Sequence, residues 1–216
     1  MNQKTVLEAL KQAKEQGKKR KFTQGIDLII NLKDLDLKKP DQQIDFYAHI
    51  SHDVGKKLKI CAFVGPELKE EAIKNVDTVI AVEDFDKYKD KKVAKKLAAD
   101  HDYFIAQANI MAKVAGTFGK ILGTRGKMPN PKAGCVIPPK TNVAALNNNL
   151  QKTIRLKAKT LLALQCLIGN EKMDEEKVAD NILSIHKQVV HALPNHENNL
   201  SKVMIKLSMG KIVEIK

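Results

Sequence analysis

The segment 123–134 (GTRGKMPNPKAG) sets Arg125, Lys127 and Lys132 within eight residues, with no acid among them. Glycines on either side let a backbone come close to a ligand. That chemistry suits contact with phosphate, and the competing reading is a solvated linker. A second set lies nearer the N-terminus, where Lys18, Lys19, Arg20 and Lys21 run directly into Phe22. A third is Arg155, Lys157 and Lys159, which share one face of an alternating segment opposite Ile154, Leu156 and Ala158. A fourth is Ser208-Met209-Gly210, which interrupts the last apolar run. A glycine there admits another backbone, and a methionine offers a flexible apolar plate to a sugar or base. Taken singly, a charge run is a solvated face and Ser-Met-Gly is a bulge. Combined on one small α+β unit, they point to a surface that binds RNA in a groove.

Enzyme signatures fail in turn. Around Gly126-Lys127 a phosphate-binding loop would need glycine at 121 and Ser or Thr at 128, where Ile121 and Met128 stand. After the first strand of the middle segment a dinucleotide fingerprint would need GxGxxG, and Gly65-Pro66 stands there. There is no HExxH and no GxSxG. His186 and His191 lie five apart, a poor spacing for shared metal ligation. Cys61, Cys135 and Cys166 are odd in number, widely spaced and set in apolar runs, which predicts buried thiols rather than a disulfide or zinc framework. No catalytic residue, metal or cofactor is expected.

The elements that must position these groups follow from periodicity. Helix spacing covers 4–16, and strand texture covers 26–35 and 44–50. From 58 to 150 strands at 58–64, 78–82 and 103–106 alternate with helices at 66–74, 90–99 and 109–122. That order implies βαβ units on a parallel, three-layer sheet. The segment 123–134 reads as loop and 141–150 as a short helix. Strands return at 153–159, with 161–168 as a hairpin partner. Asp174 opens a long helix that Pro194 closes, and 202–215 reads as strand on both sides of Gly210. The predicted fold class is α/β and α+β in two domains. One is a split α+β RNA-binding domain from residues 1–55 and 151–216, with 26–35, 44–50 and the terminal strand in one sheet. The other is an inserted Rossmann-like α/β/α domain, 56–150.

Composition agrees. The 216 residues hold 38 Lys and Arg against 25 Asp and Glu, a net charge of +13. That excess points to a polyanionic partner, most often nucleic acid. It divides as +2, +7 and +4 over 1–55, 56–150 and 151–216, so charge does not choose the binding domain. Aromatics are 4% and Trp is absent, which disfavours recognition by stacking and favours backbone and groove-edge contacts. The N-terminal residues have no apolar signal core, and the longest apolar stretch is too short to span a bilayer. A soluble cytoplasmic protein is expected, with no membrane partner.

At this point the residues resemble a known family. Lys21-Phe22 before a strand, the run Gly119-x-x-Leu122-Gly123-x-Arg125-Gly126-x-Met128-Pro129-Asn130-Pro131-Lys132-x-Gly134, and a late Ser208-Met209-Gly210 resemble the L-one family of the large ribosomal subunit. The resemblance spans essentially the whole chain, and its length is similar to archaeal members. It implies the split and inserted domains described above. It also implies binding to large-subunit rRNA at the mobile stalk near the tRNA exit site, help in releasing deacylated tRNA, and repression of its own operon by binding the mRNA. The implied partners are that rRNA, the operon mRNA, exit-site tRNA and other ribosomal components, with a monomer when free. The implied main contacts are Phe22, Asp27, Ser208, Met209 and Gly210. The family often has Thr where Ser208 stands and Glu where Asp27 stands. Lys21, Arg155, Lys157 and Lys159 complete the expected primary surface, and Arg125, Lys127 and Lys132 form a secondary one. The runner-up function is a nucleotide-dependent enzyme built on the inserted domain.

Overall fold

The computed structural model describes residues 1–216 except Lys19, Lys89, Lys140, Lys216 and the side chain of Pro40. The chain forms two compact units. One comprises Met1–Lys56 and Lys152–Lys216, the other Lys57–Gln151.

In the first unit, α1 (Gln3–Glu15) buries Val6, Ala9, Leu10 and Ala13 along one stripe. β1 (Gly25–Leu32) alternates strictly, with Ile26, Leu28, Ile30 and Leu32 inward. β2 (Ile44–His49) follows after a long connection. In the second unit, β3 (Ile60–Val64) is buried on both faces, as a central parallel strand must be. Then come a 3-10 turn at Pro66–Leu68, α2 (Lys69–Asn75), β4 (Thr78–Ala81) and α3 (Lys91–Asp100), capped by the Asp90 carboxylate on the Lys92 N–H. β5 (Tyr103–Gln107), α4 (Met111–Thr124), β6 (Val136–Ile137) and α5 (Val143–Gln151) complete it. The chain re-enters the first unit with β7 (Thr153–Ala158), β8 (Ala163–Asn170), α6 (Glu175–Ala192), β9 (Leu200–Leu207) and β10 (Ile212–Ile215).

The second unit carries a parallel sheet in the order β4-β3-β5-β6. Phe63, Phe85, Phe104 and Phe118 pack with α3 and α4 on one face, while Ile60, Ala62 and Ile105 pack with α2 and α5 on the other. This is the three-layer arrangement that strand–helix alternation predicts. The first unit has an antiparallel sheet in the order β10-β9-β1-β8 and a separate ribbon of β2 with β7. Both close over one core with α1 and α6.

Three expectations need correcting. The strand at 44–50 does not join the sheet of β1 and the terminal strands; it pairs with β7. The eleven residues between β1 and β2 make no tight turn, so adjacency is not forced. Nor does β8 fold back on β7; it pairs with β1, Leu28 facing Cys166 and Ile30 facing Leu164. The link Lys159-Thr160-Leu161-Leu162 lacks the Gly, Asn, Asp or Pro that close a hairpin, and it carries the chain from ribbon to sheet. Finally, 123–134 is not all loop. α4 runs to Thr124, and Pro131–Ala133 form a 3-10 turn capped by Asn130.

Candidate nucleic-acid interface

Antiparallel pairing of β1 with β9 sets Ile26 against Leu207. The start of β1 therefore meets the β9–β10 turn. The Ser208 N–H donates to the Gly25 carbonyl at 3.0 Å, and the Ser208 hydroxyl donates to the same oxygen at 3.3 Å. The Met209 N–H donates to Gln24 Oε1 at 3.3 Å, and the Gly210 N–H closes the turn on the Leu207 carbonyl at 2.8 Å. A Cβ at position 210 would stand 3.0 Å from Leu207 Cβ, so the tight turn favours glycine. Gln24, almost fully buried, ties the turn to the basic segment by donating to the Lys18 carbonyl. Residues 18, 20–25 and 208–210, far apart in sequence, thus form one edge.

Large apolar side chains stand open on and beside that edge. Phe22 is 53% exposed, Met209 62% and Ile212 55%. Large apolar groups left this open, rimmed by cations, mark a contact surface. Lys18, Arg20 and Lys21 supply the rim, while Lys19 lies outside the described residues. A hollow of about 410 Å³ beside the turn is lined by Lys14, Gly17, Lys18, Arg20, Gln24, Glu171 and Leu207.

The edge continues onto the outer face of the sheet, away from the helices. Asp27 projects there, opposite Lys206 on β9 and Leu167 on β8. Burial raises the Asp27 carboxyl above its ordinary value, and the Lys206 charge offsets only part of that. A shallow cleft crosses this face between Asp27, Ile29, Gln165, Leu167, Lys206 and Ile212. An acid among cations can accept from a ribose 2′-hydroxyl or an exocyclic amine.

Arg155, Lys157 and Lys159 lie elsewhere, on the ribbon. Asp45 faces Lys157 across it. Arg155 Nε and a terminal nitrogen both donate to Asp45 at 2.9 Å, and Lys159 Nζ reaches Asp45 Oδ2 at 3.0 Å. The fork of Arg155 holds the Asp45 carboxyl down to about 2, with Lys159 adding to it. Two of the three predicted cations are thus engaged by one carboxylate; Arg155 is half-buried, while Lys157 and Lys159 are exposed. Residue types alone did not reveal Asp45. Its signal was an acid at an alternating position in one strand and cations at alternating positions in another, with their register unknown.

In the second unit the predicted cations also part ways. Arg125 and Lys132 are exposed. Lys127 turns inward, its ammonium donating to the carbonyls of Ala98 at 3.0 Å and His101 at 2.6 Å. It thereby satisfies the C-terminal end of α3, where a cation is favoured.

The three thiols are free. Cys61 and Cys135 are buried and Cys166 is partly covered. Burial pushes them up to about 12, about 11 and about 12. Among the described residues no cluster of His, Cys, Asp and Glu could hold a metal, and no helix is long and apolar enough to cross a membrane.

Comparison with known proteins decides the family. Residues 5–211 match the Ribosomal protein L1p/L10e family. The chain belongs to that family. It is 41% identical to "Large ribosomal subunit protein uL1" of Nanoarchaeum equitans, covering 97% of this chain and 98% of that one. It is 34% identical to the protein of the same name from Thermoplasma acidophilum, over 100% of this chain and 98% of the relative. It is 37% identical to that from Methanothermococcus thermolithotrophicus, over 100% and 99%. Members of the ribosomal protein L1 family are structural constituents of the large ribosomal subunit and not enzymes. The nucleotide-dependent enzyme is therefore set aside as a reading of the second unit.

Proposed function

We propose that this L1-family chain binds large-subunit rRNA at the mobile stalk near the tRNA exit site through the first unit. The observation that supports this most directly is the edge where Phe22, Ser208, Met209 and Gly210 meet beside Lys18, Arg20 and Lys21. It joins exposed apolar groups, backbone that can be closely approached, and phosphate-seeking cations. The wide, shallow minor groove of RNA offers 2′-hydroxyls and base edges to such a surface. Asp27 and Lys206 lie in line with it on the outer sheet face, suited to accept from and donate to the same groove. Arg125 and Lys132 are secondary phosphate contacts. In this reading the chain is a monomer when free and helps release deacylated tRNA from the exit site.

A surface that reads shape binds any RNA presenting that shape. The chain's own operon mRNA, folded like the rRNA element, would occupy the same edge and be repressed. The two RNAs must then compete. The test is a gel shift with an rRNA stalk fragment, with the operon leader as competitor, for the native chain and Met209→Asp. The substitution places a charge against phosphates on an exposed turn, so the fold is kept while affinity falls at least tenfold. A folded Met209→Asp chain with native affinity would remove the turn from the site.

A further inference from the structure

The carboxyl ends of β3, β4 and β5 enclose a cleft of about 430 Å³ in the second unit. The chain passes from β3 to β4 on one side and then to β5 on the other, with α2 and α3 on opposite faces of the sheet. A crevice opens where connections diverge in this way, and ligands of open α/β sheets settle there. The volume lies within the range of small-molecule sites.

Gln107, the last residue of β5, lines this cleft and is fully buried. The Gly65 N–H donates to Gln107 Oε1 at 2.8 Å, which fixes the amide's orientation. The other half of the amide, Nε2, has no hydrogen-bond partner among the described residues. A Cβ at position 65 would come to 3.0 Å from Oε1, so glycine there permits the approach. Buried native polar groups are nearly always paired, and an orphaned one costs stability that an apolar residue would not. The amide is a donor held in place for an acceptor.

The surrounding groups define that acceptor's carrier. Pro66, Ala81, Val82 and Ile110 give an apolar wall suited to a flat ring. Glu67, Glu70 and Glu83 outnumber Lys69 and Lys113, which repels a phosphorylated ligand and accepts from hydroxyls. We propose that this cleft binds, without transforming it, an uncharged base and its ribose, with the Gln107 amide donating to a carbonyl oxygen or ring nitrogen of the base. A free nucleoside, which carries no phosphate, supplies that unit. The inference stands apart from the RNA reading of the first unit and survives its failure.

The test is titration of the ¹⁵N-labelled full chain with adenosine, cytidine and uridine, their 5′-monophosphates, and a short unstructured oligoribonucleotide. The resonances followed are the Gln107 side-chain amide pair and the Gly65 N–H. Saturable shifts of both with a nucleoside, weaker with its monophosphate, are expected for a free ligand. The oligonucleotide, whose phosphates the acidic rim repels, should shift them less than the nucleoside, and tighter binding of it would overturn the proposal. Gln107→Met keeps the length and removes the donor, and should weaken binding about tenfold. Should that variant not fold, Val82→Trp obstructs the cleft and should abolish the shifts. Resonances unmoved by every ligand, tighter binding of a monophosphate than its nucleoside, or full binding by Val82→Trp would overturn the proposal.

Discussion

Asp45→Asn isolates the clamp that organises the β2–β7 ribbon. The folded chain lowers the Asp45 carboxyl from 3.8 to about 2. At 1.36 kcal/mol per pH unit that corresponds to about 2.4 kcal/mol of stability at neutral pH. The side chain is 23% exposed, so solvent screening trims this only modestly, to about 2 kcal/mol. Asparagine keeps the shape but turns an N–H₂ toward the donors of Arg155 and Lys159. The sign follows from the depressed value. The contribution is complete above the unfolded value near 3.8 and is lost as pH falls through about 2. At pH 3 roughly half should remain. Native-state hydrogen exchange of the β2 and β7 amides, at pH 7 and pH 3, gives the gap between native chain and variant. We expect about 2 kcal/mol at pH 7, shrinking to about half at pH 3. A gap below about 0.5 kcal/mol, or one indifferent to pH, would refute the clamp.

The inward turn of Lys127 separates it from its neighbours. Lys127→Ala should destabilise the second unit by about 1–3 kcal/mol, since two carbonyls at the end of α3 lose their donor. Its RNA salt slope should stay unchanged. Arg125→Ala and Lys132→Ala should leave stability within about 0.5 kcal/mol and lower the salt slope by about 1 each, read by filter binding across a salt series. The thiols should be silent toward a disulfide reagent at pH 8 in the native chain and react fully in urea; prompt native reactivity of Cys61 would contradict its burial. Residues 1–56 joined to 152–216 by a short Gly-Ser link should fold alone and keep most of the affinity for the stalk fragment. The Ile50 N–H already bonds the Lys152 carbonyl at 2.9 Å, so the junction is small. Affinity falling to the non-specific range, about 10⁻⁴–10⁻⁶ M at physiological salt, would move the principal site to the second unit.

Elements were legible where one physical signal dominated. The apolar run of β3 bounded by Gly65-Pro66, the alternation of β1, and the Asp174-to-Pro194 span of α6 each announce themselves locally. Pairing was not legible, because it depends on partners far along the chain. Nothing in IDFYAH says that it meets TIRLKA rather than the strand before it. The same limit governs the site. Side-chain types marked Arg155, Lys157 and Lys159 as a cation face, yet the register with β2 spends two of them on Asp45. Lys127 read as a phosphate ligand because its neighbours are glycines, while the end of α3 that claims it lies 26 residues earlier. Gln107 did have a local signal, as the lone polar residue closing the apolar strand YFIAQ.

What sequence order hides in the primary edge, topology explains. Among the described residues, β1 is the only strand of its sheet drawn from the N-terminal segment, and it lies between β9 and β8, both from the C-terminal one. Both pairings are antiparallel, so the beginning of β1 must face the end of β9. The residues entering β1 and the turn leaving β9 then share one end of the sheet whatever their spacing. Hydrogen bonds from Ser208 to Gly25 and from Met209 to Gln24 fix that meeting. A segment as large as the second unit can be inserted between β2 and β7 without disturbing it, because neither strand belongs to this sheet. A one-residue slip of β9 on β1 would turn Lys206 inward and present Ile205 and Leu207 to solvent. The buried Ile26–Leu207 and Leu28–Ile205 pairs resist that slip. The hydrophobic register of the core is therefore what aims the Ser-Met-Gly turn.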